Sequence, residues 1–214
     1  MADIFREVDE DVRRDRAVDL WSRYGLYVIA AVVLIVAATA ALVGWRHWQV
    51  EARRDAAAQY LAAAEGDPSL RIDALAGVAD GQEGVYAQMA RLRGAAALSA
   101  DDPAAALAAY DALAAEPDLP ARLRALAAIR ALVLAADSQP VDEVILRAGP
   151  LTDAANPFRS HAREILAVAE MSRGNDAAAR AALEQIVADL SAPLSLRERA
   201  TLLLELVSST EAGS

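Results

Sequence analysis

Between Arg23 and Arg46 the chain reads YGLYVIAAVVLIVAATAALVGW, an apolar stretch without charge whose one aliphatic polar residue is Thr39. On either side the pattern changes. Ahead of it, Ile4, Val8 and Val12 recur one helical turn apart within dense mixed charge, which predicts a short amphipathic helix with a solvated face. Behind it, apolar and small residues recur at helical spacing in segments of roughly 8–18 residues divided by short polar breaks. No segment alternates apolar and polar residues between turn signals, so no sheet is predicted.

The uncharged stretch has the length of a membrane span. At 1.5 Å per residue, about twenty residues cross the ~30 Å hydrocarbon layer, and a buried soluble helix of that length ordinarily shows a polar face. Its flanks fit: Trp21, Tyr24 and Tyr27 stand at one end, Trp45 and Trp48 at the other. Their rings favour the headgroup layer, and Arg23 and Arg46 can extend their charged ends outward from the same boundaries. The reading is a charged leader over 1–23, a transmembrane helix over 24–45 and a helical domain over 46–214. Trp21, Arg23, Tyr24, Trp45, Arg46 and Trp48 act as interface anchors, with His47 a boundary residue and little flexible linker behind it.

A cleaved signal peptide would explain the stretch differently, and the small residues around Ala40 resemble a cleavage site. Such a peptide has a short basic start and an apolar core of about 7–15 residues. This leader is long, with seven acids against five arginines, so an uncleaved anchor is the better reading. Five arginines precede the run and three follow it closely (Arg46, Arg53 and Arg54), which keeps the N-terminus cytoplasmic and the large domain periplasmic. Ala37 and Ala41 form a small-xxx-small pair, which the alanine-rich composition explains without helix association.

Past the run, helical pattern continues through EARRDAAAQYLAAAE to a break at GDP. Asp67 is predicted as an N-cap with Pro68 at the first helical position, and Asp102 with Pro103, then Asn156 with Pro157, repeat the device. Ser195 and Glu198 have capping-box spacing.

An ungapped shift of 73 positions aligns the segment from Ser99 with the one from Ser172. It pairs Pro120 with Pro193, Leu123 with Leu196, Arg124 with Arg197, Tyr110 with Leu183 and Leu113 with Ile186. That period is about two helix pairs of the tetratricopeptide kind. Small residues where the two helices of a pair approach, and larger ones facing the next pair, fall at Gly94, Ala97, Ala106, Tyr110 and Leu113 in the first copy. In the second they fall at Ala167, Gly174, Ala179, Leu183 and Ile186. Glu170 departs from the pattern at an aromatic position, and the tryptophan common early in such repeats is missing. The predicted fold is all-α: one N-terminal transmembrane helix, then a tetratricopeptide-like α-solenoid of stacked helical hairpins. Its units lie near 47–80, 84–118, 121–149 and 158–190, with a closing helix over 194–207 and a short second helix in the third unit.

Composition narrows the chemistry. Alanine supplies 54 of 214 residues, and aromatic residues are only 5%, both in keeping with an all-helical chain. All 21 basic residues are arginine, and the net charge of −10 argues against a phosphate backbone as partner. Without cysteine, thiol catalysis and cysteine-based zinc sites are excluded and an oxidising compartment is permitted. Without lysine there is no phosphate-binding G-x-x-x-x-G-K-[ST] loop. His161 and Glu164 have the spacing of two ligands on one helical face, but no second histidine lies near, and a surface histidine is the better reading. Ser99, Ser160 and Ser208 sit in no nucleophile-elbow context, and the acid pairs Asp101/Asp102 and Asp142/Glu143 belong to helix starts. No catalytic, cofactor or metal site is predicted, and no enzyme.

The charged leader, the single apolar helix, the GWRHW exit and a tetratricopeptide-like domain, in that order, resemble the ancillary SecYEG translocon subunit family of bacteria, the YfgM-like proteins. The likeness is most specific over residues 3–48. It implies an inner-membrane protein with a periplasmic C-terminal domain, whose partners are the SecYEG translocon and a PpiD-like periplasmic folding factor. The implied role is a scaffold holding chaperones or emerging secreted chains near the channel. An adaptor for envelope assembly or cell division would have the same topology.

Overall fold

The computed structural model describes residues 2–212, with side-chain surroundings for 21–27 and 29–209. The elements are α1 (Ala2–Glu65), α2 (Arg71–Gly81), α3 (Val85–Asp101), α4 (Pro103–Ala115), α5 (Ala121–Ser138), α6 (Val141–Ala148), a 3₁₀ turn (Gly149–Thr152), α7 (Arg159–Ser172), α8 (Asp176–Ala188) and α9 (Leu194–Ala212). No strand occurs among the described residues. By its contacts the chain divides into two units, Met1–Ala57 and Ala58–Ser214.

In the first unit the apolar run lies wholly within α1. Its large side chains have nothing to bury them: Leu26 is 78% exposed, Leu34 70% and Ile35 62%. Among the described residues this is the one helix long and apolar enough to cross a membrane. Its one aliphatic hydroxyl is satisfied locally, since Thr39 Oγ1 donates to the Ile35 carbonyl at 2.8 Å. A polar group in hydrocarbon needs such an internal partner. The proposed amphipathic face of Ile4, Val8 and Val12 lies outside the described side chains.

The second unit is built of helix pairs, each packing on its neighbours in the chain, with α5 also touching α7 and α7 touching α9. Its interior is four small cores in series, each shared by about three successive helices. One joins Ala63 and Ala64 to Leu75, Val78 and Ala90. The next centres on Tyr110, Leu113 and Leu119, a third on Ile129, Leu132 and Val144, and the last on Leu183, Ile186, Leu196 and Val207. Alanines at 0% exposure (Ala90, Ala106, Ala127, Ala162, Ala167, Ala179 and Ala200) let the helix axes approach closely around these few large side chains.

The 73-residue period is visible in the structure. Helix α4 and helix α8 each have 13 residues, and both ends of α8 lie 73 positions after those of α4. Buried Ala106, Tyr110, Leu113, Leu119 and Ala127 correspond to buried Ala179, Leu183, Ile186, Ala192 and Ala200. The N-caps correspond as well: Asp102 accepts from the Ala105 N–H at 2.9 Å and Asn175 from the Ala178 N–H at 3.4 Å.

Three predicted helix starts are corrected. Asp67 accepts from both the N–H and the hydroxyl of Ser69, which closes a turn, and α2 begins only at Arg71 without a side-chain cap. Asn156 likewise accepts from the Phe158 N–H, so α7 begins at Arg159. In both places the side-chain oxygen satisfies a donor two residues on and is not available to a helix's first turn. Helix α9 begins at Leu194, so Ser195 lies inside its first turn, where the Pro193 carbonyl receives the N–H groups of Leu196 and Arg197. The third pair has the short second helix anticipated, eight residues of α6 with Asp142 and Glu143 in its first turn.

Candidate functional site

The residues at the ends of the apolar run stand outward. Trp21, Tyr24, Trp45 and Trp48 are all more than half exposed, and Arg23 and Arg46 are exposed. The Trp21 indole lies over Gly25, where a Cβ would come within 3.3 Å of the ring. Trp45 and Trp48, three residues apart, share a face with ring centroids 5.4 Å apart. Beyond them Glu51 pairs with Arg54 at 2.6 Å and lies 4.0 Å from His47 Nδ1, so charge gathers one turn past the indoles.

Of the repeat positions, Ala106, Tyr110, Leu113, Ala167, Ala179, Leu183 and Ile186 are buried. Ala97 is half-buried, with Ala87, Ala90 and Ala95 the small residues that α3 buries. Gly94 is half-buried, and a Cβ there would meet that of Leu75 on α2 at 4.0 Å. Gly174 differs from its expected role. It lies past the end of α7, exposed, at φ 79°, so its small size serves a left-handed turn and not the approach of two helices.

Polar side chains between helices form a set of closed pairs. Buried Glu170 accepts from Arg173 at 2.8 Å and from Asn175 at 2.9 Å, and Arg173 reaches on to Asp142. Asp189 accepts from Ser191, Arg159 and Ser160, which ties the end of α8 to the start of α7. The Ser191 hydroxyl is the main reason its carboxyl falls from 3.8 to about 2, with the Ser191 N–H, Arg159 and Ser160 adding and desolvation opposing. Glu164 receives two bonds from Arg199, at 2.7 and 2.8 Å. That engagement takes the carboxylate away from His161, which is exposed and edge-on to Phe158. No group of three metal-ligating side chains occurs among the described residues.

The feature the sequence reading missed is a hollow running over α3, α5 and α7. One part, about 340 Å³, is lined by Tyr60, Met89, Leu92, Arg93, Tyr110 and Arg130, among others. The adjoining part, about 310 Å³, shares Leu126 and Arg130 with it and continues to Val133, Phe158, His161 and Ile165. Tyr110 thus has a second role as part of the wall. Burial raises its phenol pKa while the nearby Arg130 opposes the shift. The sequence carries only its separate parts: Met89/Arg93 and Leu126/Arg130 each place an arginine one helical turn after an apolar residue, and nothing local brings the two together. A second hollow, about 370 Å³, lies on another face of α3 against α2 and α4, lined by Leu75, Gly94, Leu98 and Leu113. Its arginine, Arg91, is paired with Glu116 at 2.6 Å.

This arrangement offers apolar hollows with charged margins on a stack of helix pairs, which suits the binding of another polypeptide. Comparison with known proteins agrees. A family model described as a tetratricopeptide repeat-like domain matches residues 19–193, from just ahead of the apolar run to the turn before α9. No curated protein and no solved structure matches the chain.

Proposed function

Since the chain belongs to the tetratricopeptide repeat-like domain family, whose role is protein–protein interaction, we propose that it is a membrane-anchored scaffold at a secretion channel. In this reading α1 crosses the inner membrane with its N-terminus cytoplasmic, and residues 46–214 stand in the periplasm. There the domain holds folding factors or emerging secreted chains near a SecYEG-type translocon. The observation that carries the reading is one chain uniting a span-length apolar helix with a family match that covers both that helix and the helix pairs. The order of leader, anchor and repeats adds the likeness to translocon subunits. As a scaffold the chain needs no catalytic residue, and the interhelical carboxylates are engaged in holding helices together.

A photo-crosslinking amino acid placed at Met89 or Val133, both exposed in the α3–α5–α7 hollow, tests the role in native membranes. Adducts with channel subunits and periplasmic folding factors are the expected result. Adducts confined to division or polysaccharide machinery, with the protein concentrated at the septum, would replace this role with that of an envelope-assembly adaptor. A reporter fused after Ser214 reads the topology, and activity on the cytoplasmic side would overturn the periplasmic assignment.

A further inference from the structure

The two hollows on α3 differ in their charges. Arginines held in ion pairs among the described residues of the second unit include Arg91, Arg147, Arg159, Arg163, Arg173 and Arg199. Arg93 and Arg130 are exposed and have no ion pair among the described residues, although the chain carries 31 acids against 21 arginines. Both line the α3–α5–α7 hollow. The one carboxylate lining it, Glu164, is already bound twice by Arg199. The hollow is therefore a cationic place in an anionic chain, and the apolar side chains of Tyr60, Leu92, Tyr110 and Leu126 line it beside the two guanidiniums.

We propose that this hollow binds an extended segment of a partner protein in which carboxylates alternate with large apolar side chains. Arg93 and Arg130 receive the carboxylates, and the apolar side chains enter between α3, α5 and α7. A guanidinium takes a carboxylate through two parallel N–H···O bonds, and its weak hydration lets it sit on an apolar surface without losing that capacity. Apolar contact supplies the area and the arginines select the charge, so segments rich in lysine or arginine are turned away. The inference rests on the protein-binding reading of the domain and adds the chemistry of what is bound.

The test uses the full chain in a neutral detergent and three fluorescent peptides of about twelve residues, long enough extended to cross adjacent helices. All three share Leu and Phe at alternate positions and carry Glu, Gln or Lys between them. Anisotropy titration is expected to show the Glu peptide binding about tenfold tighter than the Gln peptide, with the Lys peptide weakest. Arg93→Gln with Arg130→Gln brings the Glu peptide to the level of the Gln peptide. Arg122→Gln, an exposed arginine of α5 outside the hollow, leaves the preference in place. Circular dichroism verifies the helix content of each variant. Equal binding of the Glu and Gln peptides, or a preference that survives the double substitution, overturns the charge selection. Failure of all three peptides to bind overturns the hollow as a peptide site. Crosslinked protein adducts obtained alongside either result would leave the scaffold role standing.

Discussion

Asn175 binds Glu170 twice: its side-chain amide donates to Glu170 Oε2 at 2.9 Å, and its backbone N–H donates to the Glu170 carbonyl, also at 2.9 Å. Its own Oδ1 caps α8, so one asparagine fixes both the end of α7 and the start of α8. Glu170→Ala leaves Asn175 and Arg173 facing an empty, mostly buried position. A loss of about 2 kcal/mol is expected in urea unfolding. Glu170→Gln, whose amide oxygen can stand in for Oε2 and accept from both Arg173 and Asn175, is expected to lose less.

Asp189 makes stability depend on acid. Its carboxyl titrates at about 2 in the folded chain against an ordinary 3.8, chiefly through the Ser191 hydroxyl. The depressed value means the folded state favours the charged form. The contribution is complete above 3.8 and is lost as pH falls from there towards about 2. Urea midpoints measured across that interval should fall with pH in the wild type. Asp189→Asn should be less stable at neutral pH and show a shallower fall.

Ala106 and Ala179 are equivalent positions at 0% exposure, each beside a large core residue four positions later. Leucine at either has no free volume to enter. Ala106→Leu and Ala179→Leu should each cost about 1–3 kcal/mol in denaturant unfolding. Similar penalties in both would show that the two copies use the position alike.

Leu34 and Ile35 are 70% and 62% exposed in the apolar run. Arginine at a membrane centre costs about 2.5–3.5 kcal/mol on insertion scales. The double substitution Leu34→Arg, Ile35→Arg should therefore move the protein from the carbonate-resistant membrane fraction to the soluble one. Retention in the membrane pellet would count against α1 as the anchor.

The start of α4 was legible because Asp102 and Pro103 do what their residue types favour, and the 73-position shift paired its core residues Tyr110 and Leu113 with Leu183 and Ile186 of α8. Asp67 and Asn156 looked alike on paper but close turns on Ser69 and Phe158, and the choice between capping a turn and capping a helix depends on where the next helix packs. Gly174 was read as a packing residue because a small residue at repeat spacing has two uses, and only its φ of 79° separates them. The hollow was hidden for a different reason. Arg93 and Arg130 lie 37 positions apart on separate helices, and their nearness to one cavity arises from tertiary packing that no local pattern states.

The turns that follow α4 and α8 share their bonding: Leu119 N–H to the Glu116 carbonyl and Leu123 N–H to Pro120 in one, Ala192 N–H to Asp189 and Leu196 N–H to Pro193 in the other. The stretch between Pro120 and Pro193 is therefore bounded by interchangeable junctions. A recombination event that removed or doubled this block would join a turn to its own likeness and leave each neighbouring core with familiar side chains. Such a domain can change its length in lineages by whole blocks, without inventing a new joint.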